Sequence, residues 1–495
     1  MPYDTAVIGA GVSGMTCAAL LARAGRRVAL IERDTCTGPL LRGYDRGGMH
    51  VELGLHCLGD AGSGGITDVL LHAAGVRAAL ELIPYEADDG DWVWDRRDDR
   101  VLRLPTTWPR LQQAMQAAFP ADAAGVEHYV ATCRQLYEDH VWGALSGELE
   151  SVAMAWRERH GKVAEFLAQH IDAPALRWAL LARGVTAGVS PADAPMVAHA
   201  TVTGSFHAAT AKVRGGGRAL ADAFAGHLDE LGVDLVLGTS VENVLATADG
   251  HVCGVRLDDG QVIEAGSCIF TGDARGLPAL LPDGALRPAY CKRLRRLRNS
   301  YSAMLVGALS DRELPALHAA NLFWHTSPTD SIPAVRLPLH DRPMTAIANP
   351  VRTTDGQTPL TVICPVCLDD VPGAGADHAA GRRPPAYDEW KTRFVETVQA
   401  CLQACPAMNF GNVTVVDCAT PLTFRDYMRT PQGCIYGVRY GVEEPLLSSR
   451  TRMPGMFLAG QSLFGPGILG ALLAAAVTCT KLVGRGTIDE LMRNR

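Results

Sequence analysis

The sequence predicts an α/β protein in which a discontinuous Rossmann-type domain carries an inserted α+β domain. Three observations lead there: a strand, glycine turn, helix and second strand at the start, an uncharged glycine-rich block near the end, and alternating helical and strand-like segments between. Residues 4–8 form a short apolar strand, Gly9-Ala10-Gly11-Val12-Ser13-Gly14 follows, 15–24 read as a helix ending at Gly25, and 28–31 form a strand closed by Glu32. Glycines in such a turn let the backbone approach a pyrophosphate, whose charge rests on the helix N-terminus. Glu32 stands where an acid accepts hydrogen bonds from ribose hydroxyls. With all five features in register, a dinucleotide site is expected.

At 495 residues, two lobes with separate cores are the natural division. A hydrophobic content of 47% with 20% charged residues is globular. The formal charge of −7 argues against a phosphate-backbone ligand, so no nucleic-acid partner is expected. The basic cluster Lys292, Arg293, Arg295, Arg296 and Arg298 reads as a solvated helix face. Fourteen cysteines behind an opening that enters an apolar strand at once suggest reduced thiols in a cytoplasmic protein. Cys364 and Cys367, with Cys401 and Cys405 downstream, have metal-like spacing, but the first pair lies in an apolar strand-like run, 360–368, and no metal is expected. Residues 462–480 carry no charge and are nearly long enough to cross a bilayer. Gly465-Pro466-Gly467 and Gly470, then mostly Ala and Leu, point instead to a buried helix leaving a glycine-rich turn.

In the middle, Gly215-Gly216-Gly217 precedes an amphipathic helix, 219–231, a strand, 233–237, and turns at Asp249-Gly250 and Asp259-Gly260. A strand at 267–270 returns to the sheet at Thr271-Gly272-Asp273. No second Gly-x-Gly-x-x-Gly occurs, so no separate NAD(P)H domain is expected. The intervening segments carry helices at 110–119 and 387–405, aromatic strands at 92–94 and 323–325, and an exposed loop at 372–385.

The block from Met456 through Gly460-Gln461-Ser462-Leu463-Phe464-Gly465-Pro466-Gly467-Ile468-Leu469-Gly470-Ala471, with the opening turn, resembles the flavin amine-oxidase superfamily. Within it the similarity is to the branch of phytoene desaturases, carotenoid isomerases and retinol saturases. Gly54-Leu55-His56-Cys57-Leu58-Gly59 resembles their Gly-x-His-Tyr-x-Gly segment, and Pro431-Gln432-Gly433-Cys434-Ile435-Tyr436-Gly437 their Pro-x-Gly-x-x-Tyr-Gly block. This chain departs from the pattern with Gly38-Pro39-Leu40-Leu41-Arg42 in place of Gly-Gly-Arg and with Cys57 in place of tyrosine. The resemblance implies an FAD-binding domain of residues 1–84, 200–285 and 411–495, with a substrate-binding domain of 85–199 and 286–410. It also implies cofactor contacts: Gly9, Gly11, Val12, Ser13 and Gly14 at the pyrophosphate, Glu32 at the ribose, and Arg33 and Val241 near adenine. Gly460 and Gln461 belong along the pyrophosphate and ribityl chain, Leu55, His56, Gly467, Ile468 and Leu469 at the flavin, and Arg42 and Gly272 are further cofactor contacts.

Flavin moves hydride to or from carbon, so the protein need only orient an apolar chain and exclude water. The resemblance makes His56 the first candidate for proton transfer and Tyr436 the second, with covalent flavin through His56, Cys57 or Cys434 not expected. Trp92, Trp94, Tyr301, Phe323 and Trp324 are candidates to line an apolar tunnel; His199 and His207 receive no role. Saturase, desaturase and isomerase chemistry all fit a lipophilic conjugated, carotenoid- or retinoid-like substrate. The electron partner is then oxygen, a quinone or a reductase, and an apolar patch would mark transient, peripheral membrane contact. The alternatives are oxidation of an amine or amino acid, and a non-catalytic escort role.

Overall fold

The computed structural model describes residues 2–86, 90–146, 160–325, 337–374 and 383–494. Five strands form one parallel sheet in the spatial order Asp234–Leu237, Val28–Glu32, Thr5–Ile8, Cys268–Phe270, Met456–Leu458. The four strands after the edge one are short apolar runs, as a sheet covered on both faces requires. Helices Val12–Arg23 and Gly467–Val483 pack side by side in its core. Thr478 Oγ1 donates to the Leu458 carbonyl at 2.8 Å, tying the second helix to the last strand. The uncharged stretch 462–480 is therefore a short helix, Gln461–Phe464, a turn, and a largely buried helix. Among the described residues no helix is long and apolar enough to cross a membrane.

A second sheet of seven strands runs Val413–Ala419, Ser302–Ser310, Thr358–Val366, Met344–Ala348, Asn321–His325, Asp91–Asp95, Arg100–Leu104. Its neighbours are antiparallel except for Asn321–His325 beside Asp91–Asp95. Period-two alternation sends Met304, Val306, Ala308, Trp94, Leu322 and Trp324 to the face covered by helix Pro385–Gln403. Ala303, Leu305 and Leu309 turn the other way, onto Met49, Val51 and Leu53.

Expectations change in two places. Trp94, Phe323, Trp324 and Tyr301 are buried, and the first three belong to packed cores rather than to a tunnel wall. Tyr301 is held by its hydroxyl, which donates to the Val189 carbonyl at 2.8 Å, and Trp92 lies under the Arg103 guanidinium. The lobes also exchange chain within elements rather than at loops. Strand Val413–Ala419 pairs with Ser302–Ser310, so the seven-stranded sheet runs past 411; helix Met196–Ala208 straddles 200. Leu286, Leu294 and Leu297 join the parallel-sheet core although 286 was the expected start of the other lobe.

The fourteen cysteines are free, and no metal-holding cluster of side chains occurs among the described residues. Lys292, Arg293, Arg295 and Arg296 are exposed, and Arg298 pairs with Glu443 and Glu444. Of the loop expected at 372–385, residues 375–382 lie outside the described residues.

Glu52 sits under the turn that opens helix Gly216–Glu230, where its Oε2 accepts the Gly217 amide at 3.2 Å and its Oε1 has no hydrogen-bond partner. Burial pushes this carboxyl up to about 7, against the pull of that amide and of Arg218. A folded-state pKa above the unfolded value contributes stability that is full below the unfolded pKa and is lost as pH rises through the folded one. Chemical denaturation should therefore show the wild type losing about 3 kcal/mol relative to Glu52→Gln between pH 4.5 and 8.

Candidate functional site

Because the strands are parallel, the turns that leave them gather at one edge, and each following helix points its N-terminus there. Gly9 has φ +102° and Gly460 φ +103°, a region that favours glycine. A Cβ at Gly9 would lie 2.6 Å from Thr271 Oγ1, one at Gly460 2.8 Å from the Thr271 carbonyl oxygen, and one at Gly14 would overlap the Gly9 carbonyl oxygen. The Thr271 hydroxyl lies 2.9 Å from the Ile8 carbonyl and 3.0 Å from that of Gly9, either of which can accept its hydrogen. Gly272 packs on the Phe270 ring, where a Cβ would lie 2.7 Å away. Gly11 is the contrast: it is exposed and its missing Cβ would meet nothing within 4 Å.

No side chain caps helix Val12–Arg23 or helix Gly467–Val483. The first-turn amides at Val12, Ser13 and Gly14, and those at Gly467, Ile468 and Leu469, are thus left for a ligand, and both helix dipoles favour negative charge there. Ser13 Oγ is buried without a partner. These features fit a pyrophosphate and an electron-accepting ring, so the expected cofactor matches the cradle.

Glu32 is fixed by two amides, Ala10 N–H to Oε2 at 2.6 Å and Asp34 N–H to Oε1 at 3.0 Å. The Gly238 amide donates to the Asp34 carbonyl at 3.0 Å, which brings Val241 alongside the end of that strand. Arg33 is exposed and reaches no closer than 3.5 Å to the Met428 carbonyl. Arg42 is committed elsewhere: it donates to the Thr37 carbonyl and to Asp222, both at 2.7 Å, and braces the turn against helix Gly216–Glu230.

The second wall is built by the chain before strand Leu58–Gly59. Leu55 is buried, whereas His56 and Cys57 keep accessible surface. Burial, aided by the charge of Lys212, draws the His56 imidazole down to about 4; burial pushes the Cys57 thiol up to about 12. Burial, and then the charge Cys57 would carry, also raise the phenol of Tyr436. Its amide donates to Ser300 Oγ at 3.1 Å, and a Cβ at Gly188 would lie 2.8 Å from its ring. One residue on, a Cβ at Gly437 would lie 2.9 Å from Gln461 Nε2, so the Tyr436 and Gln461 blocks touch. The structure thus brings His56, Cys57, Tyr436 and Gln461 together. The imidazole and the phenol are uncharged at neutral pH and hydrogen-bond to no other side chain or backbone group among the described residues.

Sequence reasoning missed Lys212, whose only signal was a lone cation inside the apolar strand Thr210–Val213. Its buried ammonium donates to the carbonyls of Leu317, Ala320 and Ala348 at 2.6, 3.3 and 2.8 Å. Beside it Arg183 donates to Asp91 at 2.7 Å in a pair closed to solvent, with His207 against the guanidinium; His199 hydrogen-bonds Tyr129. A groove of about 810 Å³, lined in part by Tyr3, Thr5 and Ser267, lies at the opposite edge of the parallel sheet, away from all these groups.

Residues 12–308 match the family described as flavin containing amine oxidoreductase. The chain is 23% identical to an all-trans-retinol 13,14-reductase of Macaca fascicularis, over 99% of this chain and 87% of that one. It is 26% identical to a hydroxyneurosporene desaturase of Rubrivivax gelatinosus, over 100% and 95%. Among solved structures it resembles an oxidoreductase from Methanosarcina mazei, with a TM-score of 0.66, 15% identity and coverage of 95% and 98%.

The two glycines separate folding from ligand binding. Gly14→Ala should destabilise the protein by about 1–3 kcal/mol, because the turn must move. Gly11→Ala should unfold like the wild type yet retain less FAD, read from the flavin absorbance per mole of purified protein.

Proposed function

The chain belongs to the flavin-containing amine oxidoreductase family and is an FAD-dependent oxidoreductase, and on that premise we propose that it acts on carbon–carbon bonds of a lipophilic conjugated polyene. The observation that carries this reading is the uncharged wall of His56, Cys57 and Tyr436. A neutral hydrocarbon chain meets no desolvated charge there. Retinol and carotenoid enzymes among the relatives have names that agree with it. An amine substrate is disfavoured by specific groups: Lys212 lies close enough to depress His56, and the nearby Asp91 carboxylate is already taken by Arg183 and the Asn321 amide. An ammonium group would find a cation rather than an anchor.

Bound FAD supplies hydride exchange at its ring. Amides at Gly11 to Gly14 would hold the pyrophosphate, Glu32 would accept from the ribose, and Val241 would border adenine. Gly460 and Gln461 would contact the chain that carries the ring, and the bare helix end at Gly467 to Leu469 would favour negative charge on the ring. His56 gives or takes the proton that accompanies hydride transfer, Tyr436 closes the wall beside it, and the two lobes together exclude water. Electrons are exchanged with oxygen, a quinone or a reductase, and the substrate is collected through transient contact with a membrane.

Incubating the purified protein, oxidised or reduced by dithionite without oxygen, with a retinoid or carotenoid tests this. A product lighter or heavier by two hydrogens, or an isomer of unchanged mass, supports it; an unaltered polyene in both redox states opposes it. His56→Gln should keep FAD and lower kcat about 100-fold. Since His56 stays neutral down to about 4, the wild-type rate should show no inflection near 6.5 from this group.

A further inference from the structure

A small three-stranded sheet, with Thr210–Val213 between Leu58–Gly59 and Leu82–Pro84, joins the two lobes beside His56. Its register decides which side chains share a face. Leu58 and Pro84 both stand opposite Ala211, and Ile83 opposite Lys212, while the Tyr85 amide continues the ladder to the Thr210 carbonyl at 2.8 Å. Alternation then sets Cys57, Tyr85 and Lys212 on one side. Across from them, Asn321 and Asp91 are the first residues of two adjacent strands of the seven-stranded sheet, and Lys212 reaches over to the carbonyl of Ala320, next to Asn321. Asn321 is fixed by its own backbone, whose amide donates to Asp91 Oδ1 at 2.7 Å.

This junction is crowded with charges whose bonds are made, but two neutral groups are left over. Tyr85 Oη and Asn321 Oδ1 are buried, in residues only 7% and 3% exposed, and neither has a hydrogen-bond partner. Two such atoms at one place are costly unless something binds them. The Asn321 side chain turns its amide N–H groups towards both the Cys57 thiol and the Tyr85 phenol, so the pair borders the same wall as His56 and the groups left open are the phenol hydrogen and the amide oxygen.

We propose that Tyr85 and Asn321 form a subsite for a hydroxyl group at the end of the lipophilic substrate, the phenol and the amide oxygen completing the bonds that the protein leaves open. The neutral donor–acceptor pair matches an alcohol, which both gives and accepts a hydrogen bond. An ionised carboxylate would face the Asn321 oxygen, and the nearby cations, Lys212 and Arg183, already give their hydrogens to backbone carbonyls and to Asp91. The subsite rests on the polyene reading above and sharpens it. With the polar end held beside His56, the reaction falls on the double bonds closest to that end.

The test compares binding of all-trans-retinol and its methyl ether to the purified holoprotein by fluorescence titration, for the wild type and for Tyr85→Phe and Asn321→Ala. The wild type should hold the alcohol about tenfold more tightly than the ether, which cannot donate. Asn321→Ala, which removes the acceptor, should bring that ratio close to one while leaving the affinity for the ether unchanged, and Tyr85→Phe, which removes the donor, should weaken both ligands alike, a pattern that loss of packing alone does not produce. Equal affinities in the wild type, or a ratio that both variants retain, would mean that the two atoms hold only an ordered water, and the subsite falls while the polyene reading stands. Failure of the wild type to bind either compound would remove both.

Discussion

At the carboxyl edge of the parallel sheet, Thr271 packs its hydroxyl against the Gly9 turn and the end of the first strand and its backbone carbonyl against Gly460, in a space with no room for side chains. Everything else about the cofactor cradle depends on that contact. If the three turns did not close on one another, the two helix N-termini would not face the same volume, and their bare amides would be exposed loose ends rather than a binding surface. Density at Gly9, Gly14 and Gly460 and openness at Gly11 are two sides of the same arrangement: the first holds the turns, the second leaves room for a ligand.

The substrate side is organised on another principle. Its sheet is held by ordinary alternation and apolar packing, and a cluster of buried charges stands where the lobes meet. There Lys212 trades its hydration for three carbonyl oxygens, and Arg183 trades its own for Asp91 and His207. Such buried charges add little net stability, but they tolerate few geometries, so they fix how the lobes meet. The wall of His56, Cys57 and Tyr436 inherits that rigidity while itself remaining uncharged.

The cofactor half was legible because its requirements are local. A turn that must approach phosphate needs glycine at set spacings, and the acid at Glu32 follows from the length of one strand and helix. The buried helix after Gly467 was readable from its lack of charge and from the glycines before it. Boundaries between the lobes were not, because strand Val413–Ala419 and helix Met196–Ala208 look alike in sequence whichever lobe they serve. Aromatic residues such as Trp94 and Trp324 misled for a related reason: burial in a core and exposure to a tunnel select the same side chains. Lys212, Tyr85 and Asn321 meet only through pairings between strands more than a hundred residues apart, and no spacing within the chain announces them.

The order of strands in the parallel sheet also bears on how the molecule is made. Its central strand, Thr5–Ile8, pairs with Cys268–Phe270 far along the chain, that strand pairs with Met456–Leu458 later still, and the helix from Gly467 packs on the sheet only after both. Contacts of such sequence separation form slowly. The nascent chain therefore carries an unfinished apolar sheet edge until Met456–Leu458 has emerged, while the seven-stranded sheet also waits for Val413–Ala419. The last strands of both sheets, Val413–Ala419 and Met456–Leu458, emerge close together, so exposure to aggregation and dependence on chaperones are set by the winding of the chain between lobes.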